Sequence, residues 1–218
     1  MDKKTILPAR MTLLATTLCL SLASAHAEGL NYSYIEADYI RGNADSAIGI
    51  YTADGGRVAG SWGVFPSVAI EASAQILPYK KDVTVGSTTN KYETKQNRQR
   101  LGFVFHAPNE GNTQLELGLT KEWSQEESKL NGTVTGKTAP NATLAMIGVR
   151  SRVSERFEVR GRVSAIQTKD GYAGNEYGLD LNWFLNERFA LGLGYERTAP
   201  KDTPYNTENF LARAYLEF

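Results

Sequence analysis

The chain closes on "NFLARAYLEF", Asn209–Phe218. Phe210, Ala212, Ala214, Leu216 and Phe218 step back by two along one face of an extended strand, while Leu211, Arg213, Tyr215 and Glu217 take the other. The last residues of a soluble domain usually fray in water. An apolar face kept to the final residue places this terminus in a sheet.

The same alternation recurs upstream. In "VAIEASAQI", Val68, Ile70, Ala72, Ala74 and Ile76 oppose Glu71, Ser73 and Gln75. In "TQLELGLTKEW", Leu115, Leu117 and Leu119 oppose Gln114, Glu116 and Thr120. "FEVRGRVSA", "EYGLDLNWF" and "FALGLGYE" repeat the pattern with different residues, so it reflects architecture and not duplication. "NYSYIEADYI", "GRVAGSWGVF", "RQRLGFVFH" and "TLAMIGVRSRV" are weaker segments; with them the count is about ten strands, with eight as the alternative. Connections at 65–67, 106–112, 154–156 and 185–188 are short. Longer polar stretches at 42–55, 80–95 and 124–140, with briefer ones near 169–174 and 199–205, are expected to be loops. Short turns on one rim and long loops on the other predict an all-β, up-and-down antiparallel transmembrane β-barrel.

At the other end, Lys3, Lys4 and Arg10 precede "MTLLATTLCLSLA" and then "SAHAEG". A charged start, an apolar run and an A-x-A site at Ala25 and Ala27 predict a cleaved export signal over 1–27 and one barrel domain over 28–218. The run is shorter than the ~20 residues a spanning helix needs. Cys19 lies inside it, without the small residues that precede a lipidated cysteine, and the mature chain has no cysteine to form a disulfide. Without the leader the chain holds 21 basic and 23 acidic residues, so no polybasic character points to nucleic acid.

With signal, alternation and the final "YLEF" in view, the chain resembles the small bacterial outer-membrane barrels of the OmpA/OmpX-like and opacity types. The start "AEGLNYSYIEADY" is similar to a xanthomonad-type small barrel family with a tyrosine-rich first strand. The resemblance implies residence in the cell outer membrane, contact with its lipids and lipopolysaccharide, and assembly by the barrel assembly machinery. Tyr215, Leu216 and Phe218 match the signal that machinery reads.

In such a barrel the apolar face meets lipid and the polar face lines the interior. Trp62, Trp123, Tyr177, Trp183, Phe189, Tyr195 and Phe218 sit near the ends of apolar faces, as interfacial girdles do. The inward face then carries Glu36, Asp38, Glu71, Glu116, Glu158, Asp180 and Glu196 together with Arg98, Arg100, Arg150, Arg160, Arg162 and Arg213. Neighbouring strands carry opposite signs, which sets Arg100 beside the Glu116 strand and Arg160 and Arg162 beside Asp180. A salt-bridged plug is the favoured reading, because side chains nearly fill so narrow a barrel. A narrow path for ions or small solutes is the alternative, and a soluble periplasmic binding barrel the third.

Chemistry is not expected. After the leader only His106 remains as an imidazole, and it belongs on the short-turn rim at the membrane interface. One histidine so placed assembles no Ser-His or Asp-His pair, and no ligand spacing suggests a metal or cofactor. The expectation is a monomeric, non-enzymatic barrel with a structural or surface-interaction role.

Overall fold

A computed structural model describes residues 30–107 and 112–218. Ala25, Ala27, Cys19 and the expected leader lie outside the described residues, as does part of the 106–112 turn. Within them the alternating segments form β1 (Tyr34–Ala44), β2 (Tyr51–Phe65), β3 (Val68–Val85), β4 (Thr88–His106), β5 (Thr113–Leu130), β6 (Thr133–Thr138), β7 (Asn141–Ser154), β8 (Phe157–Thr168), β9 (Gly171–Phe184), β10 (Phe189–Pro200) and β11 (Thr207–Glu217).

Consecutive strands pair antiparallel except β6 with β7, and two pairings close the sheet. β4 pairs with β5, and β1 pairs with β11 from Tyr34↔Glu217 to Ala44↔Thr207. β6 and β7 lie end to end along β5, with Trp123 opposite Asn141 and Glu126 opposite Thr138. They are one descending barrel strand interrupted near Pro140, which has no N–H for the ladder. The architecture is therefore a closed ten-stranded antiparallel barrel, and the eight-strand alternative falls away.

Three expectations need correction. The polar stretches at 80–95 and 124–140 are strand and not loop: β3, β4, β5 and β6 run on past the barrel rim. Their threonines, valines and tyrosine suit an extended backbone, and each strand gives its neighbour's polar groups a partner. The turn that folds β5 onto β6 is Asn131-Gly132, with φ of 51° and 81°. Asn-Gly is the pair best suited to such a two-residue hairpin turn. At 42–55 the strands likewise continue, leaving only 45–50 between β1 and β2. Finally, β1 starts at Tyr34 and not at Asn31, where the segment "NYSYIEADYI" begins; Leu30–Ser33 bends over the short-turn mouth instead.

The alternation fixes two surfaces. Gln114 and Glu116 are buried while Leu115, Leu117 and Leu119 are about half exposed, and the remaining barrel strands sort in the same way. Leu101, Phe103, Ile147, Val149, Leu179, Leu181, Leu191 and Leu193 continue this outward apolar belt. Trp183 and Phe157 stack at its short-turn edge, and Tyr195 leans on Phe210 at the other. Among the described residues no helix is long and apolar enough to cross a membrane.

Candidate functional site

The lumen is the part of the molecule with unusual chemistry. An inward glycine leaves room on the wall for the long side chain beside it. Gly178 provides such room, since a Cβ there would meet the Arg162 Nε at 3.3 Å. Arginine uses the space well, because its planar fork holds two carboxylates at once.

Three groups of ion pairs fill the lumen between its mouths. Near the middle, Arg57 donates to Asp38 at 2.7 Å and to Glu196 at 2.5 Å. Arg213 meets Asp38 at 2.8 Å and Asp180 at 3.1 Å, with Glu36 between the two guanidinium groups. Arg162 bonds Asp180 at 2.9 Å. Arg160 crosses the barrel, bonding Glu116 at 2.8 Å, Glu71 at 2.8 Å and the Tyr34 hydroxyl at 2.9 Å. Towards the hairpin rim, Arg100 bonds Glu122 at 2.7 Å and reaches Glu176 with both terminal nitrogens, at 2.9 and 2.6 Å; Arg98 lies against the same two carboxylates. Arg160 on β8 and Glu71 on β3 are four strands apart in a ring of ten, as are Arg100 on β4 and Glu176 on β9. Both bridges therefore span most of the lumen.

The short-turn mouth is closed differently. Arg150, 1% exposed, bonds Glu158 and the Tyr215 hydroxyl at 2.9 Å, Glu217 at 3.2 Å and the Asn31 carbonyl at 2.6 Å. Arg152 backs it up on Glu217 and Glu158. The Asn31 contact draws Leu30–Ser33 across the opening. Leu30 and Tyr32 pack on Ala69, Val104 and Met146, and the Tyr32 ring stacks on His106 at 3.8 Å. His106 is thus on the inner wall of the mouth and not on the lipid-facing rim, because it shares strand parity with Val104 and Gly102. Its two ring nitrogens have no hydrogen-bond partner, and no metal-ligand cluster occurs among the described residues.

All thirteen charged residues assigned inward from the alternation line the lumen. For Arg100 the pairing follows the expected neighbour rule, since it bonds Glu122 on the strand that carries Glu116. For Arg160 it differs. Arg160 lies opposite Asp180 in register, yet it extends past it to Glu116 and Glu71, while Asp180 is held by Arg162 and Arg213. Long guanidinium side chains reach towards the axis, where the lumen would otherwise be empty. Arg57, Glu122, Arg152, Glu176 and Glu217 also belong to the network; strand parity identifies all of them but Arg57, whose small neighbours blur it. A cavity of about 80 Å³ between the layers, lined in part by Tyr34, Glu36, Arg57, Glu71, Arg100 and Arg162, has room for a few waters only.

Above the other rim, β5 leaves β7 after Trp123 and continues for seven residues, Ser124–Leu130, which is about 20 Å of strand. With β3, β4 and β6 it forms a four-stranded overhang. On its outer face Glu127 bonds Lys137 at 2.8 Å and Lys129 at 3.1 Å. These bonds, that from Lys137 first, draw the Glu127 carboxyl below the usual carboxylate range.

No family model matches the chain, and no curated protein matches it by sequence. Solved structures do. The translocator domain of the autotransporter NalP from Neisseria meningitidis aligns over 96% of this chain and 95% of its own, at 10% identity and a TM-score of 0.50. The transport unit of the autotransporter AIDA-I from Escherichia coli aligns over 96% and 97%, at 10% identity and 0.49. The outer membrane protein OprG from Pseudomonas aeruginosa aligns over 88% and 99%, at 9% identity and 0.48. The first likeness bears on the barrel fold alone, and the other two add nothing to it.

Proposed function

We propose that this chain is a monomeric, non-enzymatic outer-membrane barrel, sealed through its interior, whose tall hairpins serve a structural or surface-interaction role. The observation that carries the reading is the pair of arginine bridges across the lumen, Arg160 to Glu71 and Arg100 to Glu176. An ion moving along the axis would have to part them and expose carboxylates already held by fixed donors. The apolar outward belt fits lipid and the salt-bridged interior fits a sealed core, an inversion of what a soluble binding barrel requires. Outer-membrane lipids and lipopolysaccharide are then the surroundings of the belt and rim. The expected result is that purified barrel in planar bilayers gives no stable single channels. Reproducible unitary conductance would favour the narrow-pore reading, and recovery in the soluble periplasmic fraction would favour the third.

The terminal strand has a second role in this reading. Tyr215 points into the lumen, Leu216 faces outward, and Phe218 ends the seam. The Phe218 N–H donates to the Ser33 carbonyl at 3.0 Å, and its own carbonyl accepts from Asn31 at 3.2 Å. Tyr215, Leu216 and Phe218 are proposed as the signal read by the barrel assembly machinery. Deleting Phe218 is expected to reduce the heat-modifiable, protease-resistant barrel while cleavage after Ala27 proceeds normally. A full yield of folded barrel without Phe218 would reduce it to an ordinary seam residue.

A further inference from the structure

The strap Leu30–Ser33 that closes the short-turn mouth has several fasteners, and one of them differs in kind. Arg150 donates to the Asn31 carbonyl at 2.6 Å, and the Asn31 side-chain amide donates to the Phe218 carbonyl at 3.2 Å. The Ser33 carbonyl accepts from the Phe218 N–H at 3.0 Å, and its hydroxyl from the Gly63 N–H at 3.3 Å. Amides, hydroxyls and guanidinium groups keep their protons through the range from about pH 5 to 8, and imidazole does not. The remaining fastener is the stack of Tyr32 on His106, with ring centroids 3.8 Å apart and 2° between the planes.

This stack suits the neutral ring. Both ring nitrogens of His106 are shut off from water, and neither has a hydrogen-bond partner. The titratable and charged groups that face it are Tyr32 from the strap, Glu116 opposite it on β5, and Arg150 from β7. One Glu116 oxygen is taken by Arg160, and the other is buried without a partner. A proton on the imidazole would place a cation there with two N–H groups to satisfy, against a tyrosine ring that already carries the Arg150 guanidinium 5.0 Å from its centroid. The free Glu116 oxygen and the Ala107 carbonyl are acceptors close by, yet in the flat stack the ring bonds neither. Turning the ring to reach them gives up its face on Tyr32. Protonation and the stack therefore oppose each other.

We propose that the Tyr32–His106 stack is an acid-released catch, which holds the strap across the short-turn mouth while the imidazole is neutral and lets it go when the ring is protonated. The sign follows from the geometry: the open strap leaves His106 free to take a proton and the closed one does not, so opening grows as pH falls below about 6.5, where a free imidazole titrates. The proposal rests on the sealed-barrel reading and concerns the mouth alone. The bridges Arg160–Glu71 and Arg100–Glu176 do not involve His106 and stay shut.

Amide exchange of the barrel in nanodiscs, followed at about pH 7.5 and 5.5 and corrected for the intrinsic pH dependence of exchange, tests the catch. The amides of residues 31–33 are expected to exchange roughly 2- to 10-fold faster at the lower pH, the weight of one stacked aromatic pair, while those of β10 keep their rate. His106→Phe keeps a ring for Tyr32 without a proton to gain, and should protect the strap equally at both pH values. His106→Ala should leave it fast at both. A strap indifferent to pH, or one that slows in acid because Glu116 captures the imidazolium, would overturn the proposal. So would an acid response that survives His106→Phe, or full protection in His106→Ala. Failure of the sealed-barrel reading shows separately, as single channels in the bilayer at either pH.

Discussion

Replacing Arg160 by alanine is expected to cost about 3–5 kcal/mol of folding stability, the range for removing one partner of a buried ion pair. Arg160 is the only ion-pair partner of Glu116 and of Glu71 among the described residues, and Glu116 is fully buried. Without the guanidinium, buried Glu116 loses the donor that offsets its removal from water, and Glu71 is left with the Tyr34 O–H, at 3.0 Å. Arg150→Ala should cost less, although Arg150 is the more deeply buried, because Arg152 still contacts Glu158 and Glu217. Urea titration of the reconstituted barrel, scored by heat-modifiable mobility, gives both values. Adding Glu116→Gln to Arg160→Ala should recover part of the loss, since the cost lies in the stranded charge and not in the missing contact. Equal damage from Arg150→Ala and Arg160→Ala, or no recovery in the double variant, would show that the lumen is wet enough to solvate its own charges.

How much of this could be read in the sequence follows from what a period of two encodes. Parity along a strand depends on local residues, so the inward position of Glu36, Glu116, Arg160 or Arg213 follows from the apolar neighbours on either side. Where those neighbours are small the signal weakens. Arg57 lies between Gly56 and Val58, on a strand whose outward face is broken by Gly60, and the periodicity there scarcely marks it. Partner choice is not local at all. It depends on how far an arginine reaches across the lumen, which is why Arg160 passes the residue opposite it in register for carboxylates two and four strands away. The overhang was within reach of the sequence. Asn131-Gly132 is a hairpin signal, but the lysines, glutamates and threonines around it resemble loop composition when weighed without the turn. The bend of Leu30–Ser33 over the mouth was not within reach. Leu30, Tyr32 and Tyr34 keep the inward parity of β1, and only the Arg150 contact from a distant wall distinguishes a turning segment from a continuing strand.

Leu117→Arg and Leu181→Arg are expected to impair insertion by about 2–4 kcal/mol each, the cost of an arginine facing lipid near the bilayer midplane. Both leucines are outward and about half exposed, with 51% and 43% of their surface accessible. Leu181 lies between Trp183 at the short-turn edge and Tyr177 towards the hairpin edge, inside the apolar belt. Gln114→Arg and Asn182→Arg test the opposite surface of the same two strands. Gln114 and Asn182 are buried in the lumen, where Glu158 accepts from Asn182 at 3.3 Å. An arginine there crowds its neighbours but meets carboxylates, so the defect should be milder and should appear as lost thermal stability and not as lost insertion. The two can be separated by scoring membrane-integrated protein and heat-modifiable mobility on the same samples. Lipid composition adds a further check. Thinner bilayers bring the interface closer to position 181 and should relieve Leu181→Arg, whereas a lumen substitution should not respond to thickness. Equal damage on both surfaces, or relief of the lumen variants in thin bilayers, would mean that inside and outside had been assigned the wrong way round.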